Sequence, residues 1–243
     1  MKEIIEELES TSHSLFDILI ERKDKHFAFL AGNPGTGTGF LFKQEILKAS
    51  LFTNDTVYVI DTLGDCEKLC EKLCAEIATC ENDIFKFNRK NCRVVDFVVN
   101  DDLDFAATSL KFIEDSCDTN KTTWLFIRNT SAFLDNSKTL DILEDIIKYS
   151  ISLNIKVVFE DYDLSALLEK IKPVIIKNQD LIILSHDTSC ANKIVQDLKF
   201  DSSVTSKITS TASGEGIFVK DGIVSDFANV FKSGSPAFSL LTK

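Results

Sequence analysis

The residues with the clearest chemical potential lie in one glycine-rich stretch, AGNPGTGTGF, from Ala31 to Phe40. Its spacing fits the pattern GxxxxGK[ST], in which backbone amides hold phosphate oxygens, the lysine neutralises them and the hydroxyl ligates Mg²⁺. The lysine position here holds Thr38, and the hydroxyl position holds Gly39. The stretch therefore predicts a loop that can offer amides to a phosphate group but lacks the usual cation and metal ligand.

The candidate phosphate-binding residues form one continuous run. They are Gly32, Asn33, Pro34, Gly35, Thr36, Gly37, Thr38 and Gly39. Three interpretations stay open from the residues alone: a structural turn between a strand and a helix, a weak phosphate or nucleotide site, or an active hydrolase with an unusual site. The missing lysine and hydroxyl favour the first two, because both groups act on the same phosphates.

The elements around the loop have the order that a phosphate loop requires. HFAFLAG predicts a strand that runs into the loop, and FLFKQEILKASLF then shows helical periodicity. Before them, we predict a helix over Met1 to Glu9 and a strand at SLFDILIE. This strand, loop and helix would place the glycines at the carboxyl end of a buried strand.

The rest of the chain alternates apolar strands with helices. Predicted strands are TVYVID, CRVVDFVVN, TTWLFIRN, KVVFED and DLIILSH, and predicted helices cover 65–79, 101–117, 138–150, 164–171 and 189–199. Lys220-Asp221-Gly222 then favours a tight hairpin near the C-terminus. We expect one α/β domain over 1–243, with an N-terminal helix in 1–13, a core in 14–243, a mainly parallel sheet, helices on both faces and a C-terminal β-hairpin.

Composition narrows the function classes. The net charge of −11 argues against autonomous nucleic-acid binding, because such affinity depends on lysine and arginine displacing counterions. No apolar run approaches the ~20 residues that span a bilayer, so we expect no direct membrane insertion. The acidic, amphipathic start MKEIIEELES does not resemble a signal peptide, which favours a cytoplasmic location.

The seven cysteines lack the spacing of a disulfide framework. Cys66, Cys70 and Cys74 recur every four residues, which would place them on one side of the helix predicted over 65–79. Metal binding is the sharper interpretation, and burial is the favoured one because reduced cysteine behaves as a small hydrophobe and no histidine lies nearby. We expect no metal site.

These motifs, taken in order, resemble the VirB/TraE-type conjugation ATPases of type IV secretion systems, which have a RecA-like motor core. The similar segments are AGNPGTGTGFLFKQEI, LFTNDTVYVIDTLGD, TTWLFIRNTSAFL, KNQDLIILSH and GEGIFVKDGIVSDF, which together touch most of the chain from about Ser14 onward. The family's large helical insertion and its separate N-terminal domain have no counterpart here. The resemblance implies a RecA-like P-loop fold with a degenerate first motif.

The resemblance also places the Walker B motif, where the family has an Asp for Mg²⁺ and a Glu that activates water. The strand that corresponds to it ends in Arg128 and Asn129, and neither can fill those roles. Arg128 could reach the glycine loop and replace both lysine and Mg²⁺, or it could pair with Asp61 at the end of the adjacent strand. No arginine follows Arg128, so the family's late arginines are also missing.

The resemblance with these departures implies a pseudo-ATPase with no catalytic residues. It would act as an assembly or regulatory component of a conjugation or type IV secretion apparatus, in the cytoplasm or peripherally at the membrane complex. Its partners would be proteins, either further copies of itself or a conjugation ATPase, and its cofactor would be none, or ATP or ADP held weakly without Mg²⁺. The alternatives are a slow NTPase with a non-standard site and a RecA-like fold that binds an unrelated small ligand.

Overall fold

The computed structural model describes residues 2–11, 14–22, 24, 26–80, 93–100, 102–133, 136–165, 167, 169, 180–209, 212–229 and 234–242. Nine strands form one sheet in the order β3-β4-β2-β5-β6-β1-β7-β8-β9. The strands are β1 (Phe27–Ala31), β2 (Thr56–Asp61), β3 (Glu76–Thr79), β4 (Val94–Val98), β5 (Thr123–Ile127), β6 (Ile155–Asp161), β7 (Asp180–Leu184), β8 (Glu215–Lys220) and β9 (Ile223–Ala228).

The first seven strands in the chain pair in parallel, whereas β8 pairs antiparallel with β7 and β9 pairs antiparallel with β8. The hairpin turn at Asp221 and Gly222 has positive φ angles of 54° and 77°, as an Asp-Gly turn of this kind requires. The predicted fold class, a mainly parallel α/β sheet that ends in a β-hairpin, is confirmed.

Helices cover both faces of this sheet. They are α1 (Lys2–Glu9), α2 (Leu15–Glu21), α3 (Thr38–Phe52), α4 (Glu67–Lys72), α5 (Leu103–Ser116), α6 (Ser137–Tyr149), α7 (Thr188–Leu198), α8 (Ser203–Thr209) and α9 (Pro236–Leu241), with a 3-10 helix at Thr130–Phe133. In the described part of the chain, no helix combines the length and the apolarity needed to cross a membrane.

Alternate residues of the central strands pack into two separate apolar cores, one on each face of the sheet. Trp124 and Phe126 of β5 pack on one face with residues of α2 and α3, and Leu125 and Ile127 pack on the other with residues of α5, α6 and α7. All four of these side chains are fully buried. The central strands are therefore held rigidly from both sides, and their carboxyl ends meet at one edge of the sheet, where open α/β sheets place their sites.

Two predicted elements were wrong. SLFDILIE forms the helix α2, because its buried Leu15, Phe16, Ile18 and Leu19 follow helical spacing. The Glu45 carboxylate holds the start of this helix, accepting hydrogen bonds from the Ser14 hydroxyl at 2.7 Å and from a backbone amide.

The helix predicted over 65–79 stops at Lys72. Cys74 has a φ of 56°, which ends the helical conformation, and Glu76–Thr79 then pairs with β4 as an edge strand. Cys66 and Cys70 are buried as expected, whereas Cys74 is exposed. Most of the helix predicted over 164–171 lies outside the described residues.

Candidate phosphate-binding site

The glycine loop lies directly after β1 and leads into α3. The amide of Gly32 donates to the carbonyl of Asp161 at 3.3 Å, and the amide of Asn33 donates to the carbonyl of Ser185 at 3.0 Å. The loop is therefore tied to the ends of both strands that flank β1. The Thr36 hydroxyl closes the turn by donating to the carbonyl of Asn33 at 2.7 Å.

Three of the glycines are required for reasons that the geometry makes clear. A Cβ on Gly32 would lie 2.7 Å from Thr36 Oγ1 and 2.8 Å from Leu184 Cβ, distances at which atoms overlap. Gly35 and Gly37 have φ angles of 86° and 106°, which side-chain-bearing residues rarely adopt. The turn thus retains two left-handed glycines, a backbone conformation that also occurs in loops that present amides to an anion.

The loop also contacts the base of the C-terminal hairpin. The amide of Gly214 donates to the carbonyl of Thr36 at 2.7 Å, and the Ser213 hydroxyl donates to the carbonyl of Gly35 at 3.1 Å. The carbonyl of Gly214 in turn accepts from the amide of Asn229. The hairpin therefore supports the loop from the side opposite β6.

Arg128 follows β5 and reaches the start of α3. A Cβ on Gly39 would lie 2.6 Å from Arg128 Nη2 and 3.4 Å from Cζ. The guanidinium thus occupies the volume that any side chain at position 39 would enter. Of the two alternatives for Arg128, the reach toward the glycine loop is the one that the geometry supports.

The acidic partners of Arg128 differ from the one that the sequence suggested. Its Nη1 pairs with Asp65 Oδ1, and its Nε lies 3.8 Å from Glu160 Oε2. Both carboxylate oxygens of Asp61 instead accept backbone amides, from Leu63 at 3.1 Å and from Cys66 at 2.7 Å. Asp61 stabilises the turn after β2, while the exposed Asp65 on that turn meets the guanidinium.

Glu160 is a site residue that sequence reasoning missed. It is the penultimate residue of the buried strand β6 and has no exposed surface, and its Oε2 accepts the amide of Asn129 at 3.1 Å. Burial raises the pKa of Glu160, while the positive charge of Arg128, the Asn129 amide and the hydroxyl of Thr38 lower it. The signal in the sequence was an acidic residue directly after the apolar residues Val157, Val158 and Phe159 of KVVFED.

Thr38 and Asn129 are placed by these same contacts. Thr38 is buried at the first position of α3, and its hydroxyl is among the groups that lower the pKa of Glu160, so it lies near a carboxylate rather than in solvent. Asn129 has a φ of 50°, a left-handed conformation that asparagine tolerates better than most residues. The structure therefore brings the predicted loop and the predicted strand end together around one buried guanidinium.

Among the residues that the structure describes, Asp61, Asp65 and Cys66 form a group with metal-ligand potential, since their ligand atoms lie within 4.8 Å of one another. Arg128 already contacts Asp65 and lies 3.8 Å from Cys66 Sγ. Burial raises the pKa of Cys66 well above its usual range, so the thiol stays protonated and is a poor metal ligand. A fixed guanidinium beside this group disfavours a second cation there.

One further cation stands near the site. Lys43 Nζ lies 3.9 Å from Asp65 Oδ2, one turn along α3 from Gly39. Burial lowers the pKa of Lys43, and the neighbouring Arg128 charge lowers it further, against the raising effect of the nearby acidic groups. The arrangement of an always-charged guanidinium, a helix N-terminus and a glycine turn can hold an anion, and the two carboxylates beside the guanidinium, Asp65 and Glu160, face its positive charge.

No protein-family model matches the chain, and no curated protein matches it. Solved structures do. VirB4 of Thermoanaerobacter pseudethanolicus superposes with a TM-score of 0.68 at 11% identity, over 86% of this chain and 90% of that chain.

The genome packaging NTPase B204 from Sulfolobus turreted icosahedral virus 2, solved with AMP, gives a TM-score of 0.59 at 11% identity over 85% of this chain and 98% of that one. The pCW3 conjugation coupling protein TcpA, solved with ATPgS, gives 0.58 at 11% identity over 84% of this chain and 60% of that one. At these identities the likeness establishes the fold, which is that of RecA-like P-loop ATPases.

Proposed function

We propose that this chain is a RecA-like domain that does not hydrolyse nucleotides and serves as an assembly or regulatory component of a conjugation or type IV secretion apparatus. The observation that carries the proposal is the position of Arg128. Its guanidinium lies where a side chain at position 39 would project, so a fixed positive charge stands where a working site needs a metal-ligating hydroxyl. The likeness to VirB4 and TcpA motivates the proposed setting.

The expected loss of activity is large because several groups of one mechanism are replaced together. One preorganised transition-state donor typically contributes about 10²- to 10³-fold in rate, and an arginine finger about 10³- to 10⁵-fold. Such losses do not simply multiply within one site. By the family resemblance, Thr38, Gly39, Arg128 and Asn129 nevertheless all stand where a working ATPase has a charged or metal-ligating group, which supports the proposed loss of Mg²⁺-assisted hydrolysis.

Steady-state turnover with Mg²⁺-ATP tests the catalytic half of the proposal. We expect no turnover above a protein-free blank. A repaired variant tests whether the fold can still support hydrolysis. It carries Thr38→Lys, Gly39→Ser, Arg128→Asp and Asn129→Glu, and the same variant with Thr38 kept is its matched control. Saturable, EDTA-sensitive turnover by the unmodified chain would contradict the proposal.

Light scattering coupled to size exclusion tests the assembly half. We expect the chain either to self-associate or to co-elute with a catalytically competent RecA-like ATPase of a secretion apparatus, since such domains assemble through surfaces that need no hydrolysis. A chain that stays monomeric and binds no such ATPase at micromolar concentration would count against an assembly role.

A slow NTPase is the second candidate, and Glu160 is the observation that favours it. This carboxylate is buried near Arg128, and its Oε1 has no hydrogen-bond partner in the described part of the chain, so it could accept a proton from water. Under this candidate, the slow turnover of the unmodified chain would fall about 10²-fold or more in Glu160→Gln. Under the favoured proposal neither protein would turn over.

A further inference from the structure

The strand β9 forms one edge of the sheet. In the part of the chain that the structure describes, it pairs only with β8. The two-residue turn makes Lys220 and Ile223 a hydrogen-bonded pair, and the bond from the Asn229 amide to the Gly214 carbonyl continues the same alternation. The even-numbered residues of β9 therefore direct their backbone amides and carbonyls away from the sheet. These residues are Val224, Asp226 and Ala228.

This edge carries little of the protection that edge strands usually have. Its sequence, IVSDFA, includes no proline and no lysine. Ile223 is 72% exposed, the largest exposed fraction among the large hydrophobic side chains of the described residues. The charge of Asp226 is offset by Lys207, whose Nζ lies 2.6 Å from Asp226 Oδ1. An edge of this kind is a template for a further strand.

The sequence of β9 limits how a second copy of the strand can pair with it in the antiparallel direction. The outward-facing backbone groups bond only when even-numbered residues lie opposite even-numbered ones. Two such registers overlap the longest part of the strand, 223–227 or 224–228. The second register places the two Asp226 carboxylates directly opposite each other, which is unfavourable. The first register, which is centred on Ser225, avoids this repulsion.

The register centred on Ser225 also covers the exposed side chain. It places Ile223 of each copy opposite Phe227 of the other, and each Asp226 opposite Val224. Phe227 packs into the core beside α2 and α3, and Ile223 lies on the same face of the strand because the two positions are an even number of residues apart. An aliphatic side chain opposite an aromatic ring is a favourable cross-strand pair.

From this geometry we propose that two copies of the chain associate through β9, antiparallel and centred on Ser225, so that their sheets join into one. The inference rests on the assembly half of the proposed function and deepens it, because it names the partner as a second copy and the surface as β9. One strand from each copy gives an interface of about 1,200 Å² or less in total, the low end for specific contacts, so we expect a dissociation constant in the micromolar range.

Sedimentation velocity over a concentration series tests this association. The net charge of −11 on each copy opposes it, so the measurement is made in about 0.3 M salt, which screens the repulsion. We expect a monomer–dimer equilibrium that Ile223→Lys weakens about 10-fold or more, because the interface loses apolar contact and gains two charges. The matched control is Ile151→Lys, which should leave the equilibrium unchanged. Ile151 is 60% exposed in the turn before β6, and three strands separate β6 from β9.

Disulfide formation tests the register. In the proposed pairing the two Ser225 residues form a non-hydrogen-bonded pair with Cα atoms about 4.5 Å apart, a separation that a disulfide can span. Ser225→Cys should therefore give a dimer linked from 225 to 225 under mild oxidation. Mass spectrometry of the non-reduced peptides separates this link from those of native cysteines. Asp226→Cys is the matched control and should form about 10-fold less of the 226-to-226 link, because those positions lie diagonally, about 7–8 Å apart.

A chain that stays monomeric at about 100 micromolar would overturn the inference, as would a dimer that Ile223→Lys leaves intact or that never links through position 225. A monomeric chain that binds a secretion ATPase only with Ile223 in place would assign the edge to that partner and would also overturn it. These outcomes leave the proposed function standing, because an assembly component can act through another surface or partner. Turnover of Mg²⁺-ATP would instead remove the proposed loss of hydrolysis without altering the sedimentation result.

Discussion

The edge where β5 and β6 end and the interior of β4 both bury charged side chains, but they handle the charge differently. At the edge, Arg128 and Glu160 face each other, Arg128 donates to the Tyr162 hydroxyl, and Glu160 accepts the Asn129 amide. Inside β4, Asp96 lies between β2 and β3 with no exposed surface, and no ion pair to it occurs in the part of the chain that the structure describes. At the edge of the sheet a cation offsets the buried carboxylate, whereas the carboxyl of Asp96 in β4 can become neutral only by binding a proton.

The pKa values express this difference. Burial, followed by the nearby Asp61 carboxylate, raises the pKa of Asp96 to about 8, so it stays largely neutral at pH 7. Burial also raises the pKa of Glu160, but Arg128 acts in the opposite direction. The comparison indicates that the charge at the strand end is built around a cation, whereas the carboxyl in β4 is tolerated as a neutral group.

The largest expected effect on stability comes from removing the cation at the edge of the sheet. Arg128→Gln leaves the buried Glu160 without its counter-charge, and we expect a loss of about 3–5 kcal/mol in the free energy of unfolding at pH 7, the usual cost of breaking a buried pair. Urea denaturation measures it, with Arg93→Gln as the exposed control. A loss below about 1 kcal/mol would show that Glu160 is already protonated and that the two regions handle charge alike.

Removing the ionisable carboxyl from β4 should raise the free energy of unfolding, the opposite of the effect expected for Arg128→Gln. Asp96 has a folded-state pKa above its unfolded value, so its ionisation costs stability, and this cost grows as pH rises from about 4 to 8. Relative to the unmodified chain, Asp96→Asn should therefore gain stability between pH 5 and pH 9, by up to about 4 kcal/mol. Thermal unfolding at both pH values measures the gain, and a pH-independent difference would contradict the raised pKa.

The smallest expected effect tests the close contact between Gly39 and Arg128. We expect Gly39→Ala to destabilise the unmodified chain by about 1–2 kcal/mol, because the new methyl meets the guanidinium at 2.6 Å. In the Arg128→Gln background the same change should become neutral or stabilising by up to about 1 kcal/mol, since alanine is the better helix residue. A double-mutant cycle measures this coupling, and additive effects would show that the two positions are independent.

The order of elements was predictable because the central strands are mostly apolar on both faces and the turns between them carry glycine or polar residues. TTWLFIRN and the glycine loop with its following helix appear where the sequence places them. SLFDILIE was predicted wrongly because a short apolar run fits both a strand and a buried helix. The tertiary contact to Glu45 that holds this helix lies about thirty residues away and leaves no local signal.

The individual residues of the site were predictable from the sequence, but the contacts between them were not. The loop and Arg128 stand out in the sequence, because each replaces an expected residue type with a chemically different one. That Arg128 fills the space beside Gly39 depends on the order of strands in the sheet, with β6 between β1 and β5. The choice of Asp65 over Asp61 depends on which carboxylate the backbone amides of the turn occupy, and no sequence pattern encodes it.

The bond between the hairpin and the glycine loop has a consequence for synthesis of the chain. Ser213 and Gly35 are separated by 178 positions, and the strands on either side of β1 also follow it by more than a hundred residues. At about 5–20 residues per second, a ribosome needs roughly 10–40 s to supply the hairpin after it has made the loop. For the first hundred or more residues of that interval, a growing chain holds an apolar β1 with neither neighbour, so this segment is open to chaperones until β6 and then β7 are made.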